Sequence, residues 1–92
     1  MLGGGLKLRW ERRYCCIMGH LFVVYAEQGA VAPLGLLSLV DASVERRKEP
    51  SQFVIRPRSG SRLLLRPIKE SDIAETSLWI DALQRAIKAE AK

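Results

Sequence analysis

This chain of 92 residues has little of several things, and each scarcity narrows what it can be. It holds two cysteines, and they are adjacent, Cys15 and Cys16. Neighbouring residues in an extended run point to opposite faces, so these two cannot easily bridge each other. With no third cysteine, a disulfide scaffold is excluded, and a reducing, cytoplasmic setting is the expectation. A single histidine, His20, sits in a turn-like stretch without cysteine or acidic neighbours at ligand spacing, so no metal site is expected. Aromatics are scarce too, with two each of Trp, Tyr and Phe. Nucleic-acid binding by base stacking needs an aromatic platform that this composition hardly supplies. The longest apolar stretch, residues 30–40, contains Pro33 and Gly35 and is too short to span a bilayer. Residues 1–5 form neither a charged leader with an apolar core nor a myristoylation pattern. Gly3-Gly4-Gly5 lacks the Lys-Ser/Thr of a phosphate loop. Ser59 and Ser61 have no evident base, so the chain is not expected to be an enzyme, and no cofactor is expected.

What is present is a globular composition, 48% hydrophobic and 27% charged, of one-domain size. The net charge is +5 and the pI about 9.7, which favours an acidic partner. Short runs of β character follow one another, punctuated by Gly, Pro and Ser. They are residues 6–9, 11–18, 21–26, 34–39, 41–48, 53–56 and 62–66. This spacing predicts an antiparallel sheet or barrel rather than alternating strand–helix units. Gly35 is a position for a bulge or a close backbone approach.

A single amphipathic helix follows, beginning at Asp72. Asp72 and Glu75 form a D-x-x-E cap. Thr76, Trp79, Leu83 and Ile87 fall on one stripe with Ile80 beside it, so Trp79 is expected in the core. Asp81 and Arg85 make an i,i+4 pair, and Lys88 and Lys92 suit the C-terminal end. A lone helix after a set of strands must bury that stripe on the sheet.

Taken in order, several pieces resemble a pleckstrin homology (PH) domain: Trp10-x-x-Arg13-Tyr14-x-x-Ile17, Leu21-x-x-x-Tyr25, Pro33-x-Gly35-x-Leu37-x-Leu39, Phe53-x-Ile55, Arg62-x-x-Leu65 and Trp79-x-x-Ala82-Leu83. The resemblance covers about residues 6–88 and leaves residues 1–5 as a flexible start and 89–92 as the helix end. It implies a mainly β fold, a seven-stranded bent antiparallel sheet or barrel capped by a C-terminal helix. The first strand is shorter here than in the family, and an incomplete strand would expose a sheet edge.

The resemblance also implies a non-catalytic signalling or adaptor module whose partners are anionic phospholipid or phosphoinositide headgroups, at the inner face of a membrane. The alternative is a protein-interaction or intramolecular regulatory domain. In phosphoinositide-binding relatives a first-strand lysine and a basic-x-Arg pair hold the headgroup phosphates. Carried over, Lys7 is the lysine and Arg13 the final arginine, but the preceding basic position is Glu11. Glu11 either sets negative charge where phosphate would sit or pairs with Arg13 and occupies it. A second basic cluster is Arg56, Arg58, Arg62 and Arg66, with no acid between Pro50 and Lys69. Arg58 and Arg62 flank a turn and, with Lys7 and Arg9, form either a rim attracting an anionic leaflet or a plain solvated face. Arg46-Arg47-Lys48, bracketed by Glu45 and Glu49, reads as a solvated edge.

Overall fold

The computed structural model describes residues 10–90. Six strands and one helix follow in order: β1 (Tyr14–Met18), β2 (Leu21–Tyr25), β3 (Gly35–Ser38), β4 (Ser43–Arg46), β5 (Phe53–Arg56), β6 (Leu63–Leu65) and α1 (Ile73–Glu90). They build two antiparallel sheets, β1-β2-β3 and β4-β5-β6, each a meander. The first expected run, residues 6–9, lies outside the described residues.

The period-2 pattern decides which faces meet. In the first sheet Cys15 opposes Val24, and Ile17 opposes Phe22, which in turn opposes Leu37. These residues share the inward face and pack into the core. In the second sheet Val44, Ile55 and Leu63 form one such row, and Phe53 and Leu65 the next. Phe22, Leu39, Ala42, Phe53, Ile55 and Leu83 are the buried centre. The helix lies over it with the expected stripe. Thr76 and Leu83 are fully buried, and Trp79, Ile80 and Ile87 pack against the cluster. Trp79 meets Phe22 edge-on, with ring centroids 6.0 Å apart.

The helix starts as its sequence demands. Asp72 Oδ1 accepts the Glu75 backbone N–H at 3.0 Å, satisfying one of the free donors of the first turn. The return half of the cap is different: the Asp72 N–H donates to the Lys69 carbonyl at 2.9 Å instead. Thr76 Oγ1, buried, donates to the Ser51 carbonyl at 2.7 Å and ties the helix to the β4–β5 link.

Several runs are shorter than their composition suggests. Residues 11–13 do not join β1, because its partner strand ends at Tyr25, opposite Tyr14, and leaves no ladder to extend. The 41–48 run reduces to Ser43–Arg46. At its start Asp41 takes a left-handed backbone, φ 57°, which turns the corner between the sheets. At its end the Arg47 N–H donates to the Gln52 carbonyl at 2.9 Å, closing the link to β5. At Gly35 a side chain would meet nothing within 4 Å, so no close approach is required there.

Candidate functional site

The expected site residues divide into two groups. Lys7 and Arg9 lie outside the described residues. Arg13, Arg58 and Arg62 are exposed within them.

Arg13 sits just before β1. Its Nη2 lies 2.5 Å from Glu11 Oε1, and its Nη1 donates to the Arg12 carbonyl at 2.8 Å. Of the two readings of Glu11, the structure takes the second: the carboxylate occupies the guanidinium. This corner borders a groove of about 590 Å³ between the lead into β1 and the β6 side, with Trp10, Tyr14, Leu64 and Trp79 among its walls. Across it Arg66 stacks on the Trp10 ring, 4.3 Å from the centroid, and bonds Glu70 at 3.1 Å. Trp10 stays partly exposed under this lid and does not enter the core.

Arg58 is elsewhere. It projects from the β5–β6 turn, its side chain 78% exposed, and faces Asp41 at 3.5 Å. Ser38, Val40, Pro57 and Ser59 join it around a separate cleft of about 540 Å³. Arg13 and Arg58 therefore border different clefts. Arg62 lines neither, and among the described residues it has no acidic partner.

The basic cluster that is continuous in sequence is thus broken up in space. Arg56 pairs with Glu45 at 2.9 Å, diagonally across β4 and β5. Arg58 takes Asp41 and Arg66 takes Glu70. The acids come from outside the acid-free stretch, from β4, the corner before it and the turn after β6, so reading along the chain misses them. Arg46, Arg47 and Lys48 are all exposed, as a solvated edge requires, but Arg46 is also tied down: it donates to the Pro50 carbonyl and, at 2.6 Å, to Ser77 Oγ on the helix. Its register opposite Phe53 turns it toward that side, which its sequence neighbours Glu45 and Glu49 do not reveal.

The two thiols separate as expected, Cys15 toward the core and Cys16 away from it. Burial, reinforced by the neighbouring Cys16 and opposed by Arg13, holds the Cys15 thiol above its ordinary pKa. A raised value is the reverse of what a nucleophilic thiol needs. Among the described residues no group of His, Cys, Asp and Glu could hold a metal ion. Nor is any described helix long and apolar enough to cross a membrane.

Two meanders packed about one core and closed by a C-terminal helix can be compared with known proteins. The family model described as PH domain matches residues 2–88. The chain belongs to the PH domain family. Solved structures agree with this PH domain in fold. The crystal structure of the carboxyl-terminal PH domain of pleckstrin is 25% identical, with a TM-score of 0.71 over 80% of this chain and 76% of that one. The same domain in complex with D-myo-Ins(1,2,3,4,5)P5 is 24% identical, with a TM-score of 0.75 over 88% and 84%. The PH domain of human oxysterol binding protein-related protein 11 is 21% identical, with a TM-score of 0.78 over 88% and 69%. No curated protein matches the chain.

Proposed function

We propose that this PH domain is a non-catalytic signalling module that associates with anionic, phosphoinositide-containing membrane surfaces weakly and with low headgroup selectivity. One observation carries the reading: of the groove's arginines Arg13 is held by Glu11 and Arg66 by Glu70, while Arg58 borders another cleft. A selective headgroup site needs several cations converging on one set of phosphates. Here two of the three arginines lining the groove are taken by acids, leaving Arg12 as the one without an acidic partner among the described residues, so attraction comes from summed charge, at about 1 kcal/mol for each basic residue near an anionic leaflet. Arg58 and Arg62 supply it, joined by Lys7 and Arg9. The net charge of +5 has the sign that such a surface requires. A neighbour in fold, the carboxyl-terminal pleckstrin PH domain, was crystallised with an inositol phosphate, which supports the class of partner.

The test is co-sedimentation with phosphatidylserine vesicles at two salt concentrations. Binding should fall steeply with salt, because exposed charges are screened within about 10 Å at 0.1 M. Arg58→Ala and Arg62→Ala together should weaken it further. Binding indifferent to both would reject the proposal.

A second reading, a protein-interaction module, draws on a different surface. The outward row of the first sheet carries Tyr14, Cys16, Met18, Leu21, Tyr25, Leu36 and Ser38 around a buried Val23, and no charge. Met18 and Leu36 are 56% and 61% exposed. An apolar protein partner fits this face. Full loss of vesicle binding with retained fold would favour that reading.

A further inference from the structure

The β5–β6 turn carries a feature that membrane attraction leaves unused. Its serines lie among arginines. Ser61 has Arg58 three positions and Arg56 five positions ahead of it, and no acid intervenes. We propose that Ser61 is a phosphoacceptor for an arginine-directed serine kinase, and that its modification releases the domain from anionic surfaces.

The structure selects Ser61 among the serines of similar context. Ser51 also has basic residues at these two spacings, Lys48 and Arg46, yet it is 5% exposed and so closed to a kinase. Ser59 is exposed and has Arg56 three positions ahead, but Val54 stands at the fifth. Ser61 is exposed and lies beyond the last paired residue of β5, before Leu63 resumes the ladder opposite Ile55. The turn is held by one backbone bond among the described residues, Gly60 N–H to the Pro57 carbonyl at 3.1 Å. Gly60 adopts φ 105°, and the space beside it is empty to 4 Å. A kinase that needs an extended segment finds residues 58–62 exposed and outside the ladder, while Arg56 stays in β5 and Pro57 is buried. The kinase's acidic subsites would take Arg58 from Asp41 and Arg56 from Glu45, pairs 3.5 and 2.9 Å apart whose side chains are all exposed.

The chemistry is phosphoryl transfer from ATP. Ser61 Oγ attacks the γ-phosphorus and forms a P–O ester bond. The bond from that phosphorus to the β–γ bridging oxygen breaks, and ADP leaves with the electron pair. The hydroxyl proton passes to the kinase's catalytic carboxylate. The product adds about −1.5 to −2 charges at pH 7, with three acceptor oxygens beside Arg58 and Arg62. These two arginines then neutralise the phosphate instead of the leaflet. This consequence rests on the membrane reading above, whereas the acceptor assignment does not.

The test uses the folded 92-residue chain, an arginine-directed kinase with MgATP, and mass-spectrometric site mapping. We expect one phosphate, on Ser61, abolished by Ser61→Ala and slowed at least tenfold in kcat/KM by Arg58→Ala. Arg58 is exposed, so this variant should keep its circular dichroism spectrum. Phosphate on another serine, or on the denatured chain alone, overturns the assignment. The phosphorylated chain should then partition on the order of tenfold more weakly onto phosphatidylserine vesicles. Unchanged partitioning overturns the release. If the unmodified chain does not bind vesicles at all, the membrane reading and the release fall together, while the mapped site stands on its own.

Discussion

Glu11 and Arg13 form an ion pair at 2.5 Å on the lead into β1, and this pair sets the charge at the corner of the groove beside Trp10. Both side chains are substantially exposed, 58% and 37%. The pair thus contributes little to stability, within about 1 kcal/mol. Its effect is on what Arg13 is free to hold.

Replacing Glu11 by Gln should therefore release Arg13 at no cost to the fold. Partitioning onto anionic vesicles should rise about fivefold, as one acidic charge leaves and one guanidinium becomes available. Thermal unfolding should be nearly unchanged. A drop in vesicle affinity in this variant would mean that Glu11 itself helps to hold the partner.

Thr76→Val tests the tie between helix and sheet. Valine keeps the shape but removes the hydroxyl that donates to the buried Ser51 carbonyl at 2.7 Å. The orphaned carbonyl should cost about 1–3 kcal/mol. Denaturant unfolding measures this as a lower midpoint with an unchanged slope. A neutral result would show that water reaches Ser51.

The helix face gives a paired test. Leu83 is fully buried and Leu78 is 70% exposed. Leu83→Ala should lose about 2–5 kcal/mol to lost burial and the cavity left behind. Leu78→Ala should stay within about 0.5 kcal/mol. Similar losses at both positions would contradict the packing described.

The raised Cys15 pKa predicts both reactivity and pH dependence. Iodoacetamide should label Cys15 more slowly than an unfolded-state thiol at mildly alkaline pH. The folded value lies above the unfolded one, and burial of the charged form is the main cause. Its contribution is therefore fully present below the unfolded thiol pKa and is lost as pH rises toward the folded one. Stability should decline through the alkaline thiol range, and Cys15→Ala should flatten that decline. Faster labelling of Cys15 than of the unfolded chain would refute the burial argument.

Much of the fold was legible because local rules and tertiary structure agree. Phe53–Arg56 is continuous in β character and forms β5 with those bounds, as its three buried residues require. The helix was legible from its cap at Asp72 and from the spacing of Thr76, Trp79 and Leu83, and the Asp81–Arg85 pair forms at 2.8 Å. Strand ends were less legible, since a ladder stops where its partner turns away, as Tyr25 does opposite Tyr14. The corner at Asp41 needs a left-handed backbone that composition does not announce.

The candidate site was legible only in its local part. Glu11 and Arg13 are two residues apart, so their pairing was one of the two arrangements open from the sequence. Arg56, Arg58 and Arg46 find partners on other elements, at Glu45, Asp41 and Ser77, through pairings that exist only after folding. An acid-free stretch of sequence is consequently no measure of free positive charge on the surface.

The most direct test of low selectivity compares partitioning of the chain onto phosphatidylserine vesicles and onto phosphoinositide vesicles of matched total charge, at physiological salt. With Arg13 held by Glu11 and Arg58 on a separate cleft, the two affinities should agree within about twofold, a difference well under the ~1.4 kcal/mol that marks a tenfold preference. A tenfold or greater preference for the phosphoinositide vesicles that survives added salt would contradict the account, because it would require a converging headgroup pocket.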